Sequence, residues 1–276
     1  MTADRPPRVL VTNDDGVHAP GIRALARAAY ERGLDVVVAA PRHEASGMSA
    51  ALSAVTDDGR LVFGETELDG LPGVPAYAVA ASPAYIAILA GLGVFGPVPD
   101  LLLSGINRGA NAGHAVLHSG TVGAALTAGN NGIRALAVSL DVLTPAAASA
   151  GSGGAAIAVL DTVDDESRHW STAAELAGRL LPWLAGADPG TVLNLNVPDL
   201  PADQVAGLRQ ATLAPFGQVQ VSVAERGEGF VRTAVEENVV RAVPGTDIAW
   251  LADGYAAVTA IRALGHLPDV ELPVDG

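Results

Sequence analysis

The 276-residue sequence contains no cysteine, few aromatic residues and fewer basic than acidic side chains. Without cysteine the chain can form no disulfide, thiolate metal site or cysteine nucleophile, and we expect a cytoplasmic protein. Aromatic residues make up 4% of the chain although 49% is hydrophobic, so Ala, Val, Leu and Ile must build the core. This composition suits parallel strands covered by alanine-rich helices.

The shortage of positive charge limits the partners that the chain can bind. Sixteen Lys and Arg against thirty Asp and Glu give a formal net charge of −14. We therefore expect no affinity for nucleic-acid backbone or an anionic membrane. An anionic small substrate would need a local positive element, such as a metal ion.

One uncharged stretch, between Asp69 and Asp100, is long enough to span a membrane. Five prolines and several glycines interrupt it, so we interpret it as a strand at 76–80, a helix from about Ser82 and a turn. We expect no membrane segment.

Strand-like and helix-like segments alternate along most of the chain. Predicted strands lie at 8–12, 35–40, 76–80, 101–104, 135–140 and 192–197. Predicted helices lie at 21–32, 120–129 and 171–184. This rhythm predicts one α/β domain over residues 1–276, with a doubly wound, mostly parallel, Rossmann-like sheet that binds ligands at the carboxyl ends of its strands.

Two regions depart from this rhythm. Residues at about 144–168 begin as an Ala/Gly/Ser-rich tract, which favours a flexible insertion. Residues at about 210–245 alternate in short segments around Arg226–Gly229, which predicts a C-terminal β-hairpin appendage. Such a hairpin is either an oligomerisation arm or an ordinary extension of the sheet.

The first polar loop, Thr-Asn-Asp-Asp-Gly at 12–16, follows the first predicted strand. Asp14 and Asp15 repel each other, so this loop is either a solvated turn that caps the next helix or a cation site. Both carboxylates can face one ion only if the chain leaves strand geometry, which Gly16 makes easy.

Two further loops carry small polar groups. In the loop at 41–49, Ser46 offers a hydroxyl and Gly47 a close backbone approach to an anion, although a plain surface turn is the alternative. The glycine-rich loop at 104–113 leads to a helix start at 119–121. Backbone N–H groups and a helix dipole form a phosphate cradle there.

The histidines allow a second metal hypothesis. His114 and His118 have the spacing of a zinc-binding pair if the segment is helical, but Gly113 and Gly120 bracket a stretch typical of a loop. His18 and His43 flank the polar loops, where they either tune a site or lie on the surface.

Together the loops resemble the stationary-phase survival protein SurE family of nucleotidases and phosphatases. The main matches are VTNDDGVHAPGI at 11–22, Ser46-Gly47, SGIN at 104–107 with Gly109, Asn111 and Gly113, and SGTV at 119–122. Shorter matches at 137–140, 194–198 and 245–247 extend the resemblance across most of the chain.

The resemblance implies that one divalent ion per subunit is bound by Asp14, Asp15, Ser46 and Asn107. Such an all-oxygen set suits Mg²⁺ or Mn²⁺ better than zinc. Asp14 and Asp15 are the candidate catalytic residues, and Asp14 is favoured as the general base toward water. The candidate phosphate- or substrate-binding residues are Asn13, Gly47, Ser104, Gly105, Asn111, Ser119, Gly120 and Thr121.

The resemblance also implies a homodimer or homotetramer and a 5′/3′-nucleotidase acting on nucleoside monophosphates. The alternatives are a phosphatase for a non-nucleotide biosynthetic ester with the same metal centre, and a non-catalytic nucleotide- or phosphate-sensing module. Departures from the family bear on the substrate: Ser-Pro-Ala-Tyr-Ile at 82–86 lacks the usual acid, and Ala50 and Ala51 replace polar residues.

Overall fold

A computed structural model describes residues 5–45, 47–142, 164–215, 219–228, 230–237 and 243–262. The strands are β1 (Arg8–Thr12), β2 (Asp35–Pro41), β3 (Thr56–Asp57), β4 (Arg60–Leu61), β5 (Phe63–Thr66), β6 (Ala76–Val79), β7 (Leu101–Arg108), β8 (Arg134–Asp141), β9 (Val192–Pro198), β10 (Leu208–Gln210), β11 (Val219–Gly227), β12 (Phe230–Glu237) and β13 (Ala256–Ile261). The helices are α1 (Pro20–Tyr30), α2 (Pro83–Gly91), α3 (Gly120–Asn130), α4 (Trp170–Gly186) and α5 (Asp247–Ala252), with 3₁₀ turns at Gly113–His118 and Asp165–Ser167.

The main sheet has nine strands in the order β10-β13-β9-β8-β7-β1-β2-β6-β5. The strands from β9 to β6 in this order are parallel, whereas β5 and β13 each pair antiparallel with their neighbour in that block. The predicted fold class, a doubly wound and mostly parallel sheet, is confirmed.

Helices cover both faces of the sheet, which explains why the central strands read as continuous apolar runs. Along β1, Val9 and Val11 pack into the cluster that contains α1 and α4, while Leu10 packs into the cluster that contains α2 and α3. All three side chains are fully buried. Because successive side chains of a strand point to opposite faces, β1 contributes to two separate apolar cores.

Two regions depart from the predicted alternation of strands and helices. One forms a separate sheet, and most of the other lies outside the described residues. The hairpin of β11 and β12 forms its own two-stranded antiparallel sheet inside the predicted arm at 210–245. Residues 143–163, most of the predicted insertion at 144–168, lie outside the described residues. Among the residues described, no helix has the length and apolar character needed to cross a membrane.

Candidate functional site

A cavity of about 340 Å³ opens at the carboxyl ends of β1, β2 and β7, the edge where a doubly wound sheet binds its ligands. It is lined by Asp14, Asp15, Glu44, Gly47, Asn107, Arg108, Asn111, Ala115, His118 and Ser119. The structure therefore brings together six of the residues predicted from the sequence as metal ligands or phosphate contacts: Asp14, Asp15, Gly47, Asn107, Asn111 and Ser119.

The turn after β1 is closed by the side chain of Asn13. This fully buried amide donates from Nδ2 to the Gly16 carbonyl oxygen at 2.9 Å and accepts at Oδ1 from the Gly16 N–H at 3.2 Å. Gly16 has a φ of +104°, a backbone conformation that glycine adopts at low cost. Asn13 thus shapes the turn that presents the two aspartates.

Asp14 is buried against the amino terminus of α3. Its Oδ1 accepts a hydrogen bond from the Thr121 hydroxyl, and Thr121 is itself fully buried. A Cβ on Gly120 would lie only 2.7 Å from Asp14 Oδ2, so glycine is what lets the carboxylate touch the helix terminus. Burial raises the pKa of Asp14 despite the hydrogen bonds that oppose it.

Asp15 is the least compensated charge of the site. Burial raises the pKa of Asp15 to about 7, with the like charges of Asp14 and Glu44 adding to the effect, while the backbone N–H and charge of Arg108 oppose it. Its Oδ2 is buried and has no hydrogen-bond partner among the described residues. A cation would satisfy this oxygen and relieve the repulsion between the carboxylates.

Asn107 enters the cavity from an irregularity in β7. Pairing with β8 shifts register between Ser104 and Asn107, and a Cβ on the intervening Gly105 would lie 2.2 Å from the Val138 carbonyl oxygen. Asn107 Nδ2 donates to the Gly109 carbonyl at 2.7 Å. This hydrogen bond leaves the Asn107 Oδ1 as the oxygen that could bind a metal ion. Ser104 is fully buried in the sheet behind this bend.

The loop that carries Asn111 is held by side chains from distant strands. The Asn111 N–H donates to Asn196 Oδ1 at 2.8 Å, and its side-chain Nδ2 donates to Ser139 Oγ at 2.9 Å. Asn194 Nδ2 donates to the Asn111 carbonyl at 2.8 Å. The fully buried Asp247 accepts from the Gly113 N–H at 2.7 Å.

Ser119 and Gly47 also line the cavity. Ser119 caps α3 by accepting from the Val122 N–H at 3.0 Å, which leaves its own O–H as a donor. Gly47 has a φ of +75° and no atom near the place of a Cβ. Ser46, the predicted hydroxyl ligand, lies outside the described residues.

The histidine-pair hypothesis does not fit the geometry. Residues Gly113–His118 form a 3₁₀ helix, in which positions four apart differ by about 120° around the axis. His118 lines the cavity, whereas His114, His18 and His43 are exposed and belong to other surfaces. Within the described ranges, no cluster of three or more His, Asp or Glu side chains is arranged to hold a metal.

Sequence reasoning missed several residues of this site. Glu44 and Arg108 line the cavity. Arg108 directly follows the predicted ligand Asn107, and Glu44 lies in the same loop as Gly47. Ser139, Asn194 and Asn196 hydrogen-bond Asn111, and Asp247 accepts from the Gly113 N–H. These residues lie in the shorter family matches at 137–140, 194–198 and 245–247 but were assigned no role in the site. Polar residues inside an apolar strand run, as at 139, 194 and 196, are the signal that could have identified three of them.

The fold and the site define a doubly wound α/β protein. Its cavity lies at the carboxyl edge of the sheet and is lined by carboxylate and amide side chains. The family model described as Survival protein SurE matches residues 9–219, and the chain belongs to this family. This confirms the resemblance derived from the sequence motifs.

Curated relatives and solved structures agree with this assignment. The chain is 35% identical over 261 residues to proteins named 5′/3′-nucleotidase SurE from Escherichia coli O127:H6 and Shigella dysenteriae serotype 1, covering 92% of this chain and 90% of each relative. It also matches the crystal structure of SurE protein from Aquifex aeolicus with a TM-score of 0.69 and 27% identity over 93% of both chains.

Proposed function

We propose that this chain is a divalent-metal-dependent phosphomonoester hydrolase, and specifically a 5′/3′-nucleotidase that releases phosphate from nucleoside monophosphates. The observation that carries the proposal is the pair of crowded carboxylates, Asp14 and Asp15, next to the Asn107 amide in a cavity at the sheet's carboxyl edge. The name shared by the curated relatives supports the nucleotide as substrate.

The donor set fits a hard divalent ion. Asp14, Asp15 and Asn107 offer carboxylate and amide oxygens, and the unpartnered Oδ2 of Asp15 is an oxygen that needs a cation. Together with Ser46 these residues would hold Mg²⁺ or Mn²⁺. When bound, such an ion would offset phosphate charge and promote ionisation of the attacking water.

The protein's own residues supply proton transfer and orientation. Asp14 is the proposed general base toward water, and the Thr121 hydroxyl fixes its carboxylate at the amino terminus of α3. Thr121 and Gly120 therefore affect the phosphate indirectly. Thr121 positions the Asp14 carboxylate, and Gly120 lets that carboxylate approach the amino terminus of α3. Likewise Asn13, Ser104 and Gly105 act by shaping the backbone of the two strand ends.

Donors to the phosphate oxygens come from the remaining walls. The Ser119 O–H, the backbone at Gly47 and the cavity face of Asn111 surround the space next to the aspartates. Arg108 adds a positive charge at the same cavity. Groups of this kind accelerate hydrolysis by stabilising charge that builds up on the transferring phosphoryl group.

A substrate and metal screen tests the proposal. Purified protein treated with EDTA should lose all phosphatase activity, and Mg²⁺ or Mn²⁺ should restore it, because the carboxylates alone cannot offset phosphate charge. Nucleoside monophosphates should be turned over faster than sugar phosphates in a parallel panel. Full activity in the chelated enzyme would contradict metal dependence, and binding without turnover would indicate a sensing module.

We also infer self-association into a homodimer or homotetramer. The β11–β12 hairpin exposes Val223, Phe230 and Val231 at 47%, 52% and 58% respectively, and its two strands pair only with each other in the described sheets. Exposed apolar groups on an arm of this kind favour burial against another copy. A monomer mass by light scattering at micromolar concentration would overturn this inference.

A further inference from the structure

A second cavity, of about 350 Å³, lies beside the first, at the carboxyl ends of β2 and β6. Its lining is mostly apolar and small, and comprises Pro41, Arg42, His43, Ala45, Met48, Ser53, Ala54, Val55, Val79, Ala80, Ala81 and Ser82. A cavity of this size and character suits a flat organic ring better than a charged group.

Ser82 and the backbone of the segment at 51–55 are hydrogen-bonded to each other in the wall of this second cavity. The Ser82 hydroxyl donates to the Ala51 carbonyl at 2.6 Å, and the Ser82 N–H donates to the Ser53 carbonyl at 2.8 Å. The Val55 N–H donates to the Ala80 carbonyl at 2.8 Å. These hydrogen bonds leave Met48, Val55 and the strand end at Val79 to contact an occupant by apolar surface.

The two cavities lie on opposite sides of the loop that follows β2. His43, Ala45 and Met48 line the second cavity, whereas Glu44 and Gly47 line the first. The Ala45 N–H donates to the Asp14 carbonyl at 2.7 Å, which ties this loop to the aspartate turn. This loop therefore contributes to the walls of both cavities.

We propose that the second cavity binds the base of the nucleoside leaving group while its phosphate lies between Asp14, Asp15 and Asn107. This inference rests on the proposed function. The base is held by apolar contact with Met48, Val55 and Val79. The enzyme should therefore favour ring-bearing esters over bare sugar phosphates.

Val55 offers a clean test because its side chain is 73% exposed while lining the cavity, so substitution there should not affect folding. In Val55→Asp, the ratio of kcat/KM for AMP to kcat/KM for ribose 5-phosphate should fall at least tenfold, since a carboxylate would stand against the ring. Leu52→Asp is the matched control: Leu52 is 60% exposed, three residues away and outside the cavity lining. Its ratio should equal that of the wild type.

Adenosine, which has the ring but no phosphate, separates this inference from the proposed function. Calorimetric titration should detect adenosine binding to the wild type and to Leu52→Asp, and at least tenfold weaker binding to Val55→Asp. That pattern would support the ring site even if the wild type hydrolysed neither ester, in which case the proposed function alone would fail. Equal adenosine affinity and equal substrate ratios in the two aspartate variants would overturn the ring site.

Discussion

Aspartates at the amino edge of the central sheet differ in their partners from the aspartates in the cavity at its carboxyl edge. At the amino edge, Asp100 accepts from the Arg8 N–H at 2.8 Å and pairs with Arg5 at 2.9 Å, while Asp35 pairs with Arg8 at 2.7 Å. At the carboxyl edge, Asp14 and Asp15 stand together beside Glu44. Asp100 and Asp35 are thus matched by arginines, whereas Asp14 and Asp15 are crowded by carboxylates.

The pKa values differ in direction accordingly. Partial burial alone would raise the pKa of Asp100, but the Arg8 N–H and the Arg5 guanidinium outweigh it and lower that pKa. Burial and neighbouring negative charge raise the pKa of Asp15 to about 7. The charges at the amino edge therefore contribute to stability, whereas the cavity at the carboxyl edge keeps carboxylates whose mutual repulsion a cationic ligand would relieve, as functional sites often do.

Substitutions at the two edges should differ most in their effect on turnover. Asp14→Asn and Asn107→Ala should each reduce kcat with saturating Mn²⁺ by about a hundredfold or more, because one well-placed electrostatic group commonly contributes about 3 kcal/mol to transition-state stabilisation. Both variants should remain folded, since neither side chain belongs to the apolar clusters. Circular dichroism would verify the fold.

Asp100→Asn is the matched control for these variants, because it makes the same chemical change as Asp14→Asn at the opposite edge. Its turnover should stay within about twofold of the wild type. If Asp14→Asn or Asn107→Ala kept more than about a third of wild-type turnover, the role assigned to that residue would be wrong.

The contrast between the edges also explains how much could be predicted from sequence. The turn at 12–16 and the loop at 104–113 each follow a strand of a parallel sheet, and a parallel sheet brings the carboxyl ends of its strands to one edge. The convergence of Asp14, Asp15 and Asn107 was therefore predictable from local motifs, and the fold class from the alternation of elements.

Contacts across long separations were not predictable in this way. The hydrogen bond from Thr121 to Asp14 joins residues 107 positions apart, and the Asp247 carboxylate reaches Gly113 across 134. Thr121 was expected to donate to phosphate because it opens a helix, but its hydroxyl is committed to Asp14. The irregular pairing in β7, which lengthens that strand to Arg108, likewise depends on how β8 packs beside Gly105.

The metal-free protein should lose stability as pH rises. A carboxyl group whose folded-state pKa is raised favours folding when protonated. Its contribution is therefore complete below its ordinary pKa of 3.8 in the unfolded chain and is lost as pH rises through the folded-state pKa of about 7. Between pH 5 and pH 8 the free energy of unfolding should fall by a few kcal/mol in EDTA. Urea denaturation at both pH values measures this difference.

The Asp15→Asn variant should flatten this pH dependence, because its amide does not titrate. At pH 8 in EDTA it should be more stable than the wild type, as expected when a repelled, buried charge is removed. Saturating Mg²⁺ should stabilise the wild type and not the variant. An unchanged slope between pH 5 and pH 8 in Asp15→Asn would place the titrating group elsewhere.

The smallest expected effect is the change in stability of Asp100→Asn. This variant should be less stable than the wild type, whereas Asp15→Asn should be more stable. Asp100 has a lowered folded-state pKa, so its charge stabilises the protein above its unfolded pKa and that stability is lost as pH falls through the folded pKa. The pair with Arg5 is largely exposed and contributes little, whereas the hydrogen bond from the part-buried Arg8 N–H contributes about 1 kcal/mol. Urea denaturation should therefore find the variant less stable by about 1 kcal/mol at pH 7, with the gap narrowing toward pH 4. A gap that widened on acidification would show that the arginines do not stabilise the Asp100 charge, and the contrast between the two edges would then be lost.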